Sequence, residues 1–469
     1  MPTPMDAGRT GSPSAVPAWF VVVELPVRPR AARTELAAGE RLDPAGVVQL
    51  DRALDRGLQT AVLTLDRAGY GPDDDWVVDR WIECDTFDAD AVLQAVRALE
   101  GVVVAVTSAV PGFAGTAAVA ARALGLRGPT PGSAALADDR GALHRALADA
   151  GLPGVDWAEV AAHDPDLTSP IGYPCVVRPV DGGGAFDAGL VSDDRELRAL
   201  AARHLARPDY GRGMRPRRLL VVEEHVPGPR FGVDGYVDGS DPVVLAWSEV
   251  VTTPPPHLDS LVRTATTRPP VPEAIDWVRA WLAATGHDAG PFHLEFLLGP
   301  AGPRLADLGP GLPGGGGHAC TDLVSGVDTA DLAVGLLLGE PPAVPAPGAA
   351  GASTQVLLVA HAVGVVREVA GVREAAGIPG LVAAEVVTDV GRVAGPATCW
   401  QERLGQVVTV GDTPEQSWRR AAAALDAIQV DVVAPALPRP APRPGARSCR
   451  DVAASSVVVR RRGPGSRIR

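Results

Sequence analysis

Short apolar runs alternate with helical periodicities through the first hundred residues. Phe20-Val21-Val22-Val23-Glu24-Leu25 and Thr60-Ala61-Val62-Leu63-Thr64-Leu65 have the length of buried strands, and the spacing over 47–56 predicts a helix between them. The pattern returns as Trp81-Ile82-Glu83-Cys84-Asp85, then a helix capped near Asp88 with the body AVLQAVRALE, then the strand Gly101-Val102-Val103-Val104-Ala105-Val106. Strands alternating with helices imply a parallel α/β layer, placed at 17–115.

Beyond it, helices are expected at 116–123 and 138–150, the second stopped by Gly151-Leu152-Pro153-Gly154. A strand-loop-strand unit at 173–191 carries Gly182, Gly183 and Gly184, and helix 194–206 leads to a strand at 218–226. Alternating strands at 231–237 and 242–249, a Pro-rich loop at 252–272 and a helix at 273–285 follow. Period-two alternation then marks a hairpin, 293–298 with 304–308, turned at Gly299-Pro300-Ala301-Gly302-Pro303. Helix 328–338, a Pro/Ala/Gly linker near 341–352 and a compact α/β piece at 354–430 complete the pattern.

Two places carry candidate chemistry. The hairpin presents Glu295 and Asp307 from neighbouring strands, where they repel unless a cation sits between them. An oxygen-only pair suits Mg²⁺ with phosphate; the alternative is two solvated side chains on an outer face. The glycine run either lets backbone amides approach an anion or is a plain hairpin loop.

Composition narrows the class. A chain of 469 residues with 46% apolar content is globular and long enough for two or three domains. No apolar run approaches the roughly 20 residues of a membrane helix, and residues 1–16 lack the apolar core of a signal peptide, so a disordered lead-in and a cytoplasmic location are expected. Five cysteines without CxxC spacing read as free thiols in a reducing compartment. All 43 basic residues are arginine, a bias that makes arginine in place of lysine weakly informative. The net charge of −13 divides into +7 over residues 431–469 and −20 elsewhere, which argues against nucleic-acid binding by the body; the Pro/Arg-rich tail reads as disordered, with an anion-binding arm as the alternative.

In order, ADDRGALHRALADAGLPG, YPCVVRPVDGGGAFDAGLV, LLVVEEHVPGPRFGVDGYV and GPFHLEF with PRLADLGPGLPGGG resemble the ATP-grasp superfamily, in particular carboxylate-amine ligases related to D-alanine-D-alanine ligase and biotin carboxylase. The resemblance covers about residues 20–430, including GVVREVAGVREAAGIPG and ERLGQVVTVGDTPEQSW. It implies a mixed α/β and α+β protein: a Rossmann-like pre-ATP-grasp domain, a two-lobed ATP-grasp domain at 116–340 with its small lobe at about 150–226, and a C-terminal closing subdomain at 354–430. It further implies ATP and Mg²⁺, small-molecule carboxylate and amine substrates, and amide or peptide bond formation through an acyl phosphate. Neither nucleic acid nor membrane is an expected partner, and a homodimer is compatible.

Residue by residue, the resemblance places Arg140 and Arg178 where the family has its two phosphate-binding lysines, with Gly182, Gly183 and Gly184 in the phosphate loop. Glu223, Glu224, His225 and the Val226 backbone fall on the adenine hinge, and Arg230 replaces the ribose-binding glutamate. Glu295 and Asp307 match the metal carboxylates, so Arg178, Glu295 and Asp307 are the expected catalytic set. Gly309 and Gly311 stand where an asparagine and an arginine are usual; Arg263 and Arg304 are candidates to replace the latter. Natural-product biosynthesis is the expected context, by analogy. The alternatives are a degenerate ATP-grasp scaffold or partner without ligase activity, or an ATP-independent enzyme in the same cleft.

Overall fold

The computed structural model describes residues 16–433 apart from 27–34, 37–41, 184–185, 240, 256–257, 259, 343–344, 346–347, 349, 361 and 397–401. Gly184, the tail beyond residue 433 and all of the lead-in except Val16 therefore lie outside the described residues.

Four parallel strands form the N-terminal sheet in the order Arg80–Glu83, Gln59–Thr64, Ala18–Val23, Val102–Thr107. Successive side chains of Ala18–Val23 alternate between faces, and both faces are covered. Trp19, Val21 and Val23 pack with helices Ala89–Arg97 and Ala114–Ala123. Phe20 and Val22 pack with helix Ala45–Asp55 and with Val334 and Leu337 of helix Thr329–Leu338. That explains why the sequence reads as a continuous apolar run. Asp88 caps its helix as expected, its side chain accepting a hydrogen bond from the Asp90 amide.

A smaller antiparallel sheet runs Trp157–Ala161, Leu219–Glu224, Cys175–Pro179, Gly189–Val191. The larger antiparallel sheet has nine strands and begins with Gly302–Gly309, Ala289–Gly299, Arg230–Asp238, Val243–Thr252 and Ser260–Thr266. It continues through Ala352–Leu358, Gly405–Gly411, Leu381–Val386 and Glu35–Leu36. Two features differ from the sequence expectation. The loop expected at 252–272 contains the strand Ser260–Thr266, because neighbours on both sides satisfy its backbone. The expected compact piece at 354–430 contributes strands to the large sheet, and forms a separate three-stranded sheet only from Val393–Ala394, Gly364–Ala370 and Gln429–Val433.

Helices Arg140–Asp149 and Ala274–Thr285 cover one face of the large sheet, burying Leu294, Phe296, Leu305 and Leu308 against Leu143, Leu147, Val278 and Trp281. The opposite face packs Ala246 and Ala265 against Cys320 and Val324, and presents polar side chains, His293 and Glu295 among them, to the cleft.

Candidate active site

Period-two alternation settles which hairpin residues meet. With Leu294 and Phe296 committed to the core, His293 and Glu295 point to the other face. The register pairs Glu295 directly with Asp307 and His293 with Gly309. Glu295 is 8% exposed, so the solvated-face alternative does not hold for it; the Asp307 side chain is 47% exposed. Both border a cavity of about 540 Å³.

Six arginines line this cavity, among them Arg140, Arg178, Arg230 and Arg263. Arg140 opens its helix, whose N-cap Asp139 accepts from the Ala142 amide; it donates from Nη1 to the Ala306 carbonyl and has Nη2 3.6 Å from Asp307 Oδ1. Arg178, from Cys175–Pro179, lies with Nε 3.1 Å from Glu223 Oε2, yet that N–H lacks hydrogen-bond alignment. Arg230 approaches Glu295 Oε2 at 3.3 Å. Arg263 reaches from the strand Ser260–Thr266 to donate from Nη2 to Glu295 Oε1 at 3.0 Å. Gly232 makes that reach feasible: a Cβ there would lie 2.9 Å from Arg263 Nη1.

Beneath the arginines runs a buried polar network. His293 donates from Nδ1 to Asp234 Oδ1 at 2.6 Å and has Nε2 3.5 Å from Glu295 Oε1; Thr321 donates to Asp234 Oδ2 at 2.8 Å. Burial opposes protonation of His293, but the Asp234 carboxylate overrides it and raises the imidazole to about 9. Glu295 is opposed by burial too, yet the His293 hydrogen bond and the charges of Arg230 and Arg263 hold its carboxyl well below the usual range. Burial, with the like charges of Arg140 and Arg230, brings Arg178 down to about 10 although Glu223 pulls the other way.

Arg140, Arg178, Arg230, Glu295 and Asp307 are brought together at the cavity, bordered by Gly182 and Gly183. Glu223, Glu224, His225 and Val226 do not border it. Glu223 is occupied instead, its Oε1 2.7 Å from His144 Nε2 and its carboxyl brought down to about 2: burial opposes ionisation, but Arg178 and His144 prevail. Glu224 and His225 are exposed. Of the two candidate replacement arginines, Arg263 is in the cleft and Arg304 bonds its own turn carbonyls at Ala301 and Pro303. Sequence reasoning missed Asp234; a lone carboxylate in the apolar alternation FGVDGYV was the available signal.

A nucleotide's phosphates fit these residues. Arg140 Nε, Arg178 Nε and Arg263 Nη1 are buried N–H donors without an acceptor, a costly state that an anion would relieve. Mg²⁺ on Glu295 and Asp307 does not fit. Both Glu295 oxygens already face cations, and among the described residues no group of three His, Cys, Asp or Glu can hold a metal ion.

Residues 356–433 match the model of L-amino acid ligase C-terminal domain 2. The chain is 29% identical over 369 residues to the uncharacterized protein y4rH of Sinorhizobium fredii, covering 75% of this chain and 73% of that one. It is 33% identical over 187 residues to carnosine synthase 1 of Gallus gallus, covering 37% of this chain but only 20% of that protein. The fold matches the crystal structure of L-amino acid ligase from Bacillus licheniformis with TM-score 0.66 at 17% identity, over 89% of this chain and 99% of that one. It also matches the biotin carboxylase domain of 2-oxoglutarate carboxylase from Hydrogenobacter thermophilus, solved with MgADP and bicarbonate, with TM-score 0.59 at 15% identity, over 89% and 91% of the two chains. The chain has the fold of these ligase and carboxylase structures, and its C-terminal region is similar to that of L-amino acid ligases.

Proposed function

We propose that this protein is an ATP-dependent carboxylate-amine ligase. The observation that supports it most is the convergence of Arg140, Arg178, Arg230 and Arg263 on one cavity, three of them with unsatisfied buried N–H groups, in an ATP-grasp fold. ATP and a carboxylate are both anions, so their encounter needs fixed positive charge, and charge developing on the transferring oxygens needs it more. In the proposed reaction a carboxylate oxygen attacks the γ-phosphorus and ADP leaves. The amine then attacks the acyl carbon, phosphate departs with the C–O pair, and the surplus proton passes to solvent. Guanidinium groups suit the phosphate oxygens because each offers two parallel donors.

Similarity to an L-amino acid ligase supports an amino acid as one substrate; natural-product assembly is the setting proposed by analogy. Among the described residues three cysteines, Cys84, Cys175 and Cys320, are free, which is compatible with a reducing cytoplasm, and no helix is long and apolar enough to cross a membrane. ADP release measured across a panel of amino acids and other carboxylic acids tests the reading. The expected result is release that requires both a carboxylate and an amine and disappears in Arg178→Met.

A second reading, a nucleotide-binding ATP-grasp partner protein without ligase activity, is favoured by the cations that surround Glu295 and by the engagement of Glu223 with His144 and Arg178. Nucleotide binding without ADP release over the whole panel would select it.

A further inference from the structure

We propose that the cleft is a metal-independent polyphosphate site, in which Arg140, Arg178, Arg230 and Arg263 supply the charge that a divalent cation on Glu295 and Asp307 would otherwise supply. This deepens the reading above and rests on it only for the identity of the anion.

Three observations carry it. Both Glu295 oxygens lie beside cations: Oε1 accepts from Arg263 at 3.0 Å with His293 Nε2 at 3.5 Å, and Oε2 has Arg230 Nη1 3.3 Å away. Asp307, its cross-strand partner, has Arg140 Nη2 3.6 Å away. To bind both carboxylates, a small divalent ion would have to part each of them from the cation beside it. Second, Gly309 at the strand's end and Gly311 just beyond it supply no side-chain ligand. Third, the donors left over are all cationic: Arg140 Nε, Arg178 Nε and Arg263 Nη1 are buried without acceptors around one cavity. That pattern is complementary to several phosphate groups in a row.

On this view Glu295 is a positioning residue, holding Arg230 and Arg263 in the cleft until an anion arrives. Its loss should strengthen anion binding, whereas loss of a metal ligand should weaken it. The two roles have opposite signs in one measurement.

The test is calorimetric titration of the full-length protein with inorganic tripolyphosphate and with ATP, each in EDTA and in Mg²⁺. Both ligands are expected to bind in EDTA, and Mg²⁺ to weaken binding by roughly 3- to 10-fold, since it masks charge that the arginines would meet. Glu295→Gln is expected to tighten metal-free binding several-fold. Asp307→Asn, at a half-exposed position that folding tolerates better, is expected to act in the same direction.

Binding that appears only with Mg²⁺, and that either variant weakens, would overturn the proposal while leaving the ligase reading intact. Tripolyphosphate binding in EDTA without ATP binding would sustain the proposal and sink the nucleotide reading. If neither ligand binds under either condition, both fall.

Discussion

Replacing His293 by glutamine keeps a hydrogen-bonding group beside Asp234 but removes the charge. In the folded protein the imidazole is raised from 6.5 to about 9, with burial working against the shift and Asp234 driving it. A group that holds its proton more tightly when folded contributes its full stabilisation below the unfolded value and loses it as pH rises through the folded one. The displacement is worth about 3 kcal/mol, of which about 2 kcal/mol disappears between about pH 7 and about pH 9. The assay is urea unfolding of wild type and His293→Gln at several pH values, followed by tryptophan fluorescence. Wild type should lose about 2 kcal/mol more than the variant over that interval. Direct titration of the His293 ring by NMR supplies the midpoint independently of two-state unfolding. Parallel stability profiles for the two proteins, or a midpoint near 6.5, would refute the reading of His293 as a buried imidazolium between Asp234 and Glu295.

Gly232→Ala should destabilise by about 1–3 kcal/mol in thermal or urea unfolding and weaken polyphosphate binding. The new Cβ would press on Arg263 Nη1 at 2.9 Å, and the effect on binding should vanish in an Arg263→Met background. Gly309→Asn should cost less than about 1 kcal/mol, because its Cβ would meet nothing closer than the His293 carbonyl at 3.6 Å and the backbone there is not left-handed; calorimetric melting checks this. Thr413→Ala should cost about 1 kcal/mol, since Thr413 caps helix Pro414–Ala427 by accepting from the Gln416 amide. A negligible change in melting temperature would show that cap to be dispensable.

Much of this architecture was written in local periodicity. Phe20 to Leu25 and the other buried runs announced the parallel sheet, and HLEF with RLADL placed Glu295 opposite Asp307. Alternation does not report what lies across the cleft, so the carboxylate pair was legible while its cationic company was not. Arg263 was visible only as a spare arginine, because SLVRTAT follows a Pro-rich stretch and becomes a strand through neighbours more than eighty residues away in sequence on one side. Asp234 and His293 pair for the same non-local reason. The hinge segment at Glu223 was placed by resemblance alone, and a resemblance carries no information about whether His144 and Arg178 have claimed the carboxylate first.

The strand Ser260–Thr266 pairs on one side with Val243–Thr252 and on the other with Ala352–Leu358. The C-terminal region is therefore stitched to the body that holds the cleft by main-chain hydrogen bonds and is not a detachable cassette. Cutting the chain before Ala352 would turn an interior strand into a raw edge, open to pairing with other molecules, along the very segment that presents Arg263. Swapping this region between relatives to alter specificity would disturb ligand charge at the same time. Exchange at the surface of the Gly364–Ala370 sheet, which lies outside that continuous ladder, is the safer place to recombine.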